Sequence, residues 1–184
     1  FLEDSTFKLI CKHGSHIKEF GDAKLGVMNV MNDLFVSFGA GNIEIDRILS
    51  DTGNVFLETR NNGDLMVGEI LAENDISLKT NVGHIDSSGR ISTEAGNVNL
   101  IADGQGNINV HELLARKDVK GLTGNGDIFM AKIEGRNVVL VVNHDGNSVK
   151  IDNARVESSM TVSATDFMAR KIEHLGLADF FRLE

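Results

Sequence analysis

The fold of this chain is decided by a short repeating unit, which is clearest in residues 96–110, Gly96-Asn97-Val98-Asn99-Leu100-Ile101-Ala102-Asp103-Gly104-Gln105-Gly106-Asn107-Ile108-Asn109-Val110. This stretch contains the same pattern twice: a glycine, an asparagine, an apolar residue, any residue and a second apolar residue. The pattern describes a turn that leads into a short strand whose alternate side chains point to one side. The stretch therefore predicts β-structure with frequent turns.

Copies of this unit recur along most of the chain. They begin at Gly41, Gly53, Gly63, Asn74, Gly96, Gly106 and Gly126, with looser copies at Gly21, Asn32, Gly83, Lys117, Arg136, Gly146 and Ser158. Single steps are uneven, but every second step is steadier, with 20 residues from Gly63 to Gly83 and 22 from Asn74 to Gly96. Two copies therefore form one unit of about 21 residues. This is too short for helical repeats of roughly 33 residues or more, and it is the size of one coil of a β-solenoid.

We therefore predict an all-β chain that folds as a parallel β-helix with about 21 residues per coil. The solenoid is expected to cover residues 1–165, and its first two coils, residues 1–40, are expected to be irregular because they lack a clean Gly-Asn turn. Residues 166–184 fit either a short amphipathic helix that caps the solenoid or one further coil. The predicted core consists of the inward residues Ile43, Ile45, Val55, Leu57, Leu65, Val67, Ile76, Leu78, Val98, Leu100, Ile108, Val110, Ile128, Met130, Val138 and Leu140.

The composition agrees with stacked coils. The chain has 19 Gly and 17 Asn but no Pro, Trp or Tyr. Glycine supplies positive φ at corners, and asparagine tolerates the left-handed conformation and can bond from coil to coil. Proline would delete a hydrogen-bond donor from a strand that is paired on both sides. The composition is that of a folded chain, and no apolar run is long enough to span a bilayer.

Charge and cysteine content limit which partners and which cellular compartments fit this chain. The net charge is −9 and there is no basic run, which argues against nucleic-acid binding. Cys11 is the single cysteine, so the chain has no internal disulfide. The cysteine count therefore does not indicate whether the protein works in an oxidising or a reducing compartment. Phe1 is not an initiator methionine and no signal peptide is visible, so we expect the chain to be part of a longer protein.

A search of the predicted surface for catalytic groups finds no convincing pair of carboxylates. One outward row is expected to contain Glu44, Met66, Asp86, Asn109 and Phe129. Glu44 and Asp86 would lie two coils apart, so that about 10 Å separates them, with apolar Met66 between them. We therefore predict no catalytic residues and no enzymatic activity.

No metal or cofactor site is predicted either. Cys11, His13 and His16 have ligand side chains at close range, but a fourth ligand is not evident. The calcium-binding solenoid motif is absent, and the glycines lie at coil corners and do not precede a helix, as a phosphate-binding loop requires.

One outward apolar row is harder to dismiss. Phe56, Ile101, Leu122, Val139 and Val141 are expected to point outward, and Ile101, Leu122 and Val141 are 21 and 19 residues apart, so they should stack on successive coils. Exposed apolar rows are costly. Three interpretations are open: a loop or the carboxy-terminal segment covers the row, the row belongs to a second core, or it binds a partner.

Three stretches of the repeats share one order of small, apolar and Asn or Asp residues: Gly68-Glu69-Ile70-Leu71-Ala72-Glu73-Asn74-Asp75-Ile76-Ser77-Leu78-Lys79-Thr80, Gly83-His84-Ile85-Asp86 and Gly96-Asn97-Val98-Asn99-Leu100-Ile101-Ala102-Asp103. Through these stretches, residues 63–164 resemble the repeat region of large exoproteins of the filamentous-haemagglutinin type, which Gram-negative bacteria secrete by the two-partner route. The resemblance implies a right-handed parallel β-helix, export through an outer-membrane partner, and a role in adhesion or sometimes toxin delivery.

Together these observations favour a structural or adhesive rod in a secreted or surface-displayed bacterial exoprotein. The expected partner is a glycan or protein receptor on a host cell surface, and no cofactor is expected. Two alternatives stay open: a fragment of a large secreted, leukotoxin-like toxin of the same class and, less favoured, a β-helical enzyme that acts on polysaccharide.

Overall fold

The computed structural model describes residues 9–11, 15–19, 22–175 and 181–183. All regular elements in these ranges are β-strands, and no helix of the described chain is long and apolar enough to cross a membrane. The strands are β1 (Leu9–Cys11), β2 (Ser15–Glu19), β3 (Ala23–Val30), β4 (Leu34–Phe38), β5 (Ile43–Ser50), β6 (Val55–Asn62), β7 (Leu65–Ala72), β8 (Ile76–Val82), β9 (Ile85–Thr93), β10 (Val98–Ala102), β11 (Ile108–Leu114), β12 (Val119–Thr123), β13 (Ile128–Val142), β14 (Ser148–Ser163), β15 (Asp166–His174) and β16 (Phe181–Leu183).

The strands stack in two parallel columns. The odd-numbered strands from β1 to β13 pair in succession, the even-numbered strands from β2 to β12 do the same, and the long strands β13 and β14 belong to both columns. Val98, for example, is in register with Ile76 of the preceding coil and Val119 of the following coil. The structure thus confirms the predicted parallel solenoid, with about 7 turns of about 21 residues each in the part of the chain that it describes.

Each coil has three sides, although the sequence pattern indicated only two strands per coil. In β5, Ile43 and Ile45 are buried, Asp46 and Arg47 are both exposed, and Ile48 is buried again. In a straight strand Ile45 and Ile48 would face opposite sides, so the backbone must turn a corner between them. We call the first half of each odd-numbered strand side A, its second half side B, and the even-numbered strands side C. The long strands β13 and β14 each run through all three sides in the order A, B and C.

The predicted core is confirmed, because all of its residues are buried and none is more than 3% exposed. Sequence analysis missed the inward column of side B, which consists of Ile48, Ile70, Ile91, Leu113 and Ile133. These residues follow a corner at which the period-two pattern is interrupted, so no strand template includes them. The core is therefore triangular in section and continuous from coil to coil.

The reason for the glycine content needs correction. Among the described glycines, positive φ is confined to Gly41, Gly83 and Gly146. The wider reason is close backbone approach: a Cβ on Gly63 would lie 2.0 Å from the Gly41 carbonyl oxygen, and a Cβ on Gly106 would lie 1.8 Å from that of Gly83. The residues in this glycine column are Gly41, Gly63, Gly83, Gly106 and Gly126. Only glycine lets successive corners stack this closely.

Strand pairing near the two ends of the solenoid can be compared with the predicted domain boundaries. Near the amino terminus, β3 and β4 pair in register with β5 and β6. At the carboxy terminus, β15 pairs in parallel with β14, and residues 166–175 contain no helix. The predicted boundary between residues 165 and 166 stays a prediction, since this pairing fits both a capping strand and a further coil.

Candidate functional site

The outward apolar row on side C lies where its spacing places it. Ile101 is in register with Leu122, and Leu122 is in register with Val141, so the three side chains stack on successive coils. Val139 points outward two residues before Val141 on the same strand. We call these four half-buried residues the apolar patch. Whether the patch is covered, part of a second core or a binding site stays open to experiment.

Phe56 does not belong to this patch. It lies on β6 in register with Ser77 of β8 and Phe35 of β4. Its ring centroid is 6.0 Å from that of Phe35, with an interplanar angle of 42°. The five predicted residues therefore form two separate apolar areas on side C, one at β4 and β6 and one at β10 to β13.

Polar residues surround the apolar patch. Lys79 precedes Ile101 in the same row and pairs with Asp103 at 3.1 Å, and Ser163 follows Val141. Val139 stands between Lys120 and Thr161 in the neighbouring row. The patch is thus a bounded apolar area with a polar rim, which is the usual anatomy of a small recognition surface.

The row on side A that was inspected for catalytic carboxylates is also where the sequence places it. Glu44, Met66, Asp86, Asn109 and Phe129 are in register in that order. Glu44 pairs with Lys24 Nζ at 2.8 Å, and Asp86 accepts a hydrogen bond from Asn109 Nδ2 at 2.7 Å. An open groove of about 440 Å³ lies over this row. Because Met66 separates the two carboxylates and each has its own partner, they do not form an acid and base pair.

The described residues contain no group of three or more side chains that could hold a metal ion. The side chains of Cys11, His13 and His16 lie outside the described residues, so the prediction of no metal site at these positions is untested.

Two ladders of polar side chains join the coils at their corners. In each, a side chain accepts a hydrogen bond from the next coil. In most links the donor is a backbone N–H, for example Asp64 N–H to Asn42 Oδ1 at 2.9 Å, whereas in the last two links of the second ladder the donors are the side chains of Asn137 and Ser159. The first ladder contains Asp22, Asn42, Asp64, His84, Asn107, Asp127 and Ser148. The second contains Asp33, Asn54, Asp75, Asn97, Asp118, Asn137 and Ser159. The predicted coil-to-coil bonding is confirmed, with the backbone of the next coil as its main partner.

His84 is the one imidazole in the first ladder. Its backbone N–H donates to Asp64 Oδ1 at 2.8 Å, and its Nδ1 accepts the N–H of Asn107 at 3.0 Å. An Nδ1 that accepts a hydrogen bond cannot carry a proton, so this geometry assigns the tautomer.

We expect His84→Asn to retain the ladder, because the amide oxygens of Asn42 and Asn107 accept the corresponding N–H in the same ladder. We expect His84→Leu to lose about 1 kcal/mol of unfolding free energy, since it leaves the Asn107 N–H without this acceptor. Urea unfolding and amide exchange at Asn107 measure the two effects. Equal stability and equal exchange in the two variants would contradict the ladder's role.

A row of alternating charges runs along side B. Arg47 pairs with Glu69 at 2.7 Å, and Glu112 pairs with both Lys132 at 2.7 Å and Arg90 at 3.7 Å. Sequence analysis missed this row, but a signal was present: the five residues alternate in sign and are 22, 21, 22 and 20 positions apart. Such pairs fix the relative position of coils more than they stabilise them.

Glu112 has the best-connected carboxylate of this row. The hydrogen bond from Lys132 holds its pKa below the ordinary value of 4.5, and the positive charges of Lys132, Arg90 and His111 act in the same direction against partial burial. The unfolded chain therefore binds a proton to this group more readily than the folded chain.

The stabilisation that Glu112 provides should be complete above about pH 4.5 and should be lost as the pH falls through the lower folded-state pKa. We expect a contribution of about 0.5 kcal/mol, because the side chain is partly exposed. Urea midpoints of Glu112→Gln and of the wild type, at neutral and at acid pH, measure it. The control is Glu157→Gln, whose carboxylate is exposed on β14. A wild-type chain that loses no more stability in acid than Glu112→Gln would refute the prediction.

Comparison of the chain with models of known protein families, with curated proteins and with solved structures finds no match.

Proposed function

We propose that this chain is a structural and adhesive rod segment of a secreted or surface-displayed bacterial exoprotein of the filamentous-haemagglutinin type. The observation that carries the proposal is the uninterrupted parallel stack, in which strands of each coil pair with the coil before and the coil after. A stack of this kind resists bending and proteolysis because its interior strands present few unpaired edges. These are the properties that an extended presenting element needs.

The corner ladders and the charge row support the same role. They tie each coil to the next at the corners and along side B, at positions where side chains contribute nothing to the core. A catalytic β-helix needs clustered carboxylates in a groove, whereas the two carboxylates over the side A groove are separately partnered. In this proposal the chain acts by binding and has no catalytic activity.

The apolar patch is the proposed contact surface. Its four side chains occupy three successive coils, and its rim carries Lys120 and the Lys79 and Asp103 pair. A host-surface protein or glycan receptor would bury the apolar centre and bond to the polar rim.

The proposal is tested with the double variant Ile101→Ala/Val141→Ala and with binding of the purified chain to host epithelial cells. We expect cell binding to fall at least tenfold, with the unfolding free energy changed by less than about 1 kcal/mol, because both side chains are only half-buried. The matched control is Phe129→Ala, which removes an exposed apolar side chain from side A.

Three outcomes would count against this contact surface: no binding by the wild-type chain, equal loss of binding in the control, or a large loss of stability in the double variant. A large loss of stability would mean that another segment covers the patch. Antibody labelling of intact source cells tests surface display separately, and killing of the host cells by the purified chain would favour the toxin alternative.

A further inference from the structure

A shallow groove crosses three successive coils on side B. Its floor is the outward row of Leu49, Leu71 and Ser92, which are in register on β5, β7 and β9. The two leucines point outward and are half-buried, whereas the residues on either side of each are buried. The groove has a volume of about 350 Å³, and the three strands that form it are paired on both sides. We call it the side B groove.

Three carboxylates line one rim of this groove, at the corner that follows side B. Asp51, Glu73 and Glu94 each lie two residues after a floor residue, so they stack on the same three coils, about 4.8 Å apart. Within the part of the chain that the structure describes, these carboxylates form no ion pair and accept no hydrogen bond. Like charges in register repel each other. The rim therefore has a negative charge that no positive side chain of the described residues balances.

The negative charge is confined to this rim and to these three coils. On the opposite rim Arg90 pairs with Glu112 at 3.7 Å, so that rim adds no net charge. At the next coil the corner row changes sign, because Arg116 lies two residues after Leu114, which is in register with Ser92. The acidic rim thus coincides with the groove floor along the axis of the solenoid.

We propose that the side B groove binds an amphipathic α-helix of another protein, in which a row of lysine and arginine residues borders the apolar face. The leucines of the floor would bury apolar side chains of the helix, and the three carboxylates would pair with its basic row. The charge of the rim determines this choice of partner, since an acidic or uncharged helix would leave the carboxylates unpaired. The groove is separate from the apolar patch on side C, and the inference does not rest on the proposed function.

The spacing of the groove also fits a helix that lies along the solenoid axis. Each helical turn of about 5.4 Å brings one apolar and one basic side chain to the same face. Each coil offers one floor residue and one carboxylate every 4.8 Å or so, so the two repeats drift apart by only about 1 Å over three coils. An extended peptide repeats its side chains on one face every 6.8 Å or so, and would drift by about 4 Å over the same distance.

Titration calorimetry with a synthetic peptide tests the proposal. The probe has about 15 residues, all leucine or lysine, with the leucines at helical spacing on one face. A control peptide has the same composition in an order that gives no apolar face. We expect the wild-type chain to bind the probe about tenfold more tightly than the control peptide. Circular dichroism of the complex should show more helical signal than the sum of the separate spectra, since the regular elements of the described chain are strands.

Two variants separate the charged rim from the apolar floor. Glu73→Gln removes the central carboxylate and should weaken probe binding about fivefold. Leu71→Ser removes the central leucine and should weaken it about tenfold. The matched controls are Glu157→Gln, at the same corner but well beyond Arg116, and Leu122→Ser, which removes a half-buried outward leucine from side C. Both controls should bind the probe as the wild-type chain does.

Thermal unfolding verifies the fold of each variant. If Leu71→Ser does not fold, Ser92→Lys takes its place, because it adds a positive charge on the outward side of the floor and should repel the probe. Four results would overturn the proposal: no binding of the probe, equal binding of the control peptide, a complex without added helical signal, or folded groove variants that bind as tightly as their controls. Equal binding of the control peptide would mean that charge attraction alone holds the probe.

Discussion

Replacing Gly106 by alanine is expected to destabilise the solenoid by about 3 kcal/mol or more. The new Cβ would lie 1.8 Å from the carbonyl oxygen of Gly83 in the preceding coil. The backbone fixes the position of the Cβ, and the oxygen is itself a backbone atom, so no side-chain rotation can relieve the clash and the two coils must separate. Separation strains the neighbouring hydrogen bonds between these coils, from Ile85 N–H to the Asn107 oxygen and from Asn107 N–H to His84 Nδ1. Urea unfolding measures the loss.

Gly121→Ala is the control for this prediction, because it adds the same methyl group inside the core. There the Cβ would lie 2.8 Å from Leu140 Cδ2, which is the far end of a flexible side chain. Alanine also orders the strand backbone better than glycine, so we expect a change within about 1 kcal/mol. If the two variants lose stability equally, close backbone approach is not the reason why glycine occupies the positions of the glycine column.

Leu78→Ala is expected to cost about 3 kcal/mol of unfolding free energy, within the range for a buried leucine. Leu78 is fully buried and lies in register between Leu57 and Leu100, so its removal leaves a cavity between two coils. Each coil contributes one layer of inward side chains to the stack, which limits how far the neighbouring side chains can move to fill the space. Urea or thermal unfolding measures the effect.

The control for Leu78→Ala is Ser77→Ala, one residue earlier on the outward side of the same strand. We expect its change in unfolding free energy to be within about 0.5 kcal/mol, as for surface substitutions generally. A stability loss for Ser77→Ala as large as that for Leu78→Ala would mean that side C is buried on both faces. That result would support the second-core interpretation of the apolar patch.

Local spacing was enough to predict the solenoid and many of the core residues on sides A and C. Ile76 and Leu78 repeat as Val98 and Leu100 with a turn residue before each pair, and the register places both pairs one above the other. The same spacing placed Ile101, Leu122 and Val141 in one row. Side B could not be predicted in this way. The corner at Asp46 and Arg47 interrupts the alternation of apolar and polar residues by which a strand is identified in a sequence.

The sequence by itself determined the fold class, the coil length and the outward rows, because a period of about 21 residues is a local property that survives in the stacked chain. Only the tertiary structure showed why glycine is required at the corners and which N–H group each corner asparagine or aspartate binds. It also showed that Phe56 lies apart from the apolar patch. These facts depend on distances between residues one coil apart. Only the stacking of coils, in which backbones at the corners approach closely, sets those distances.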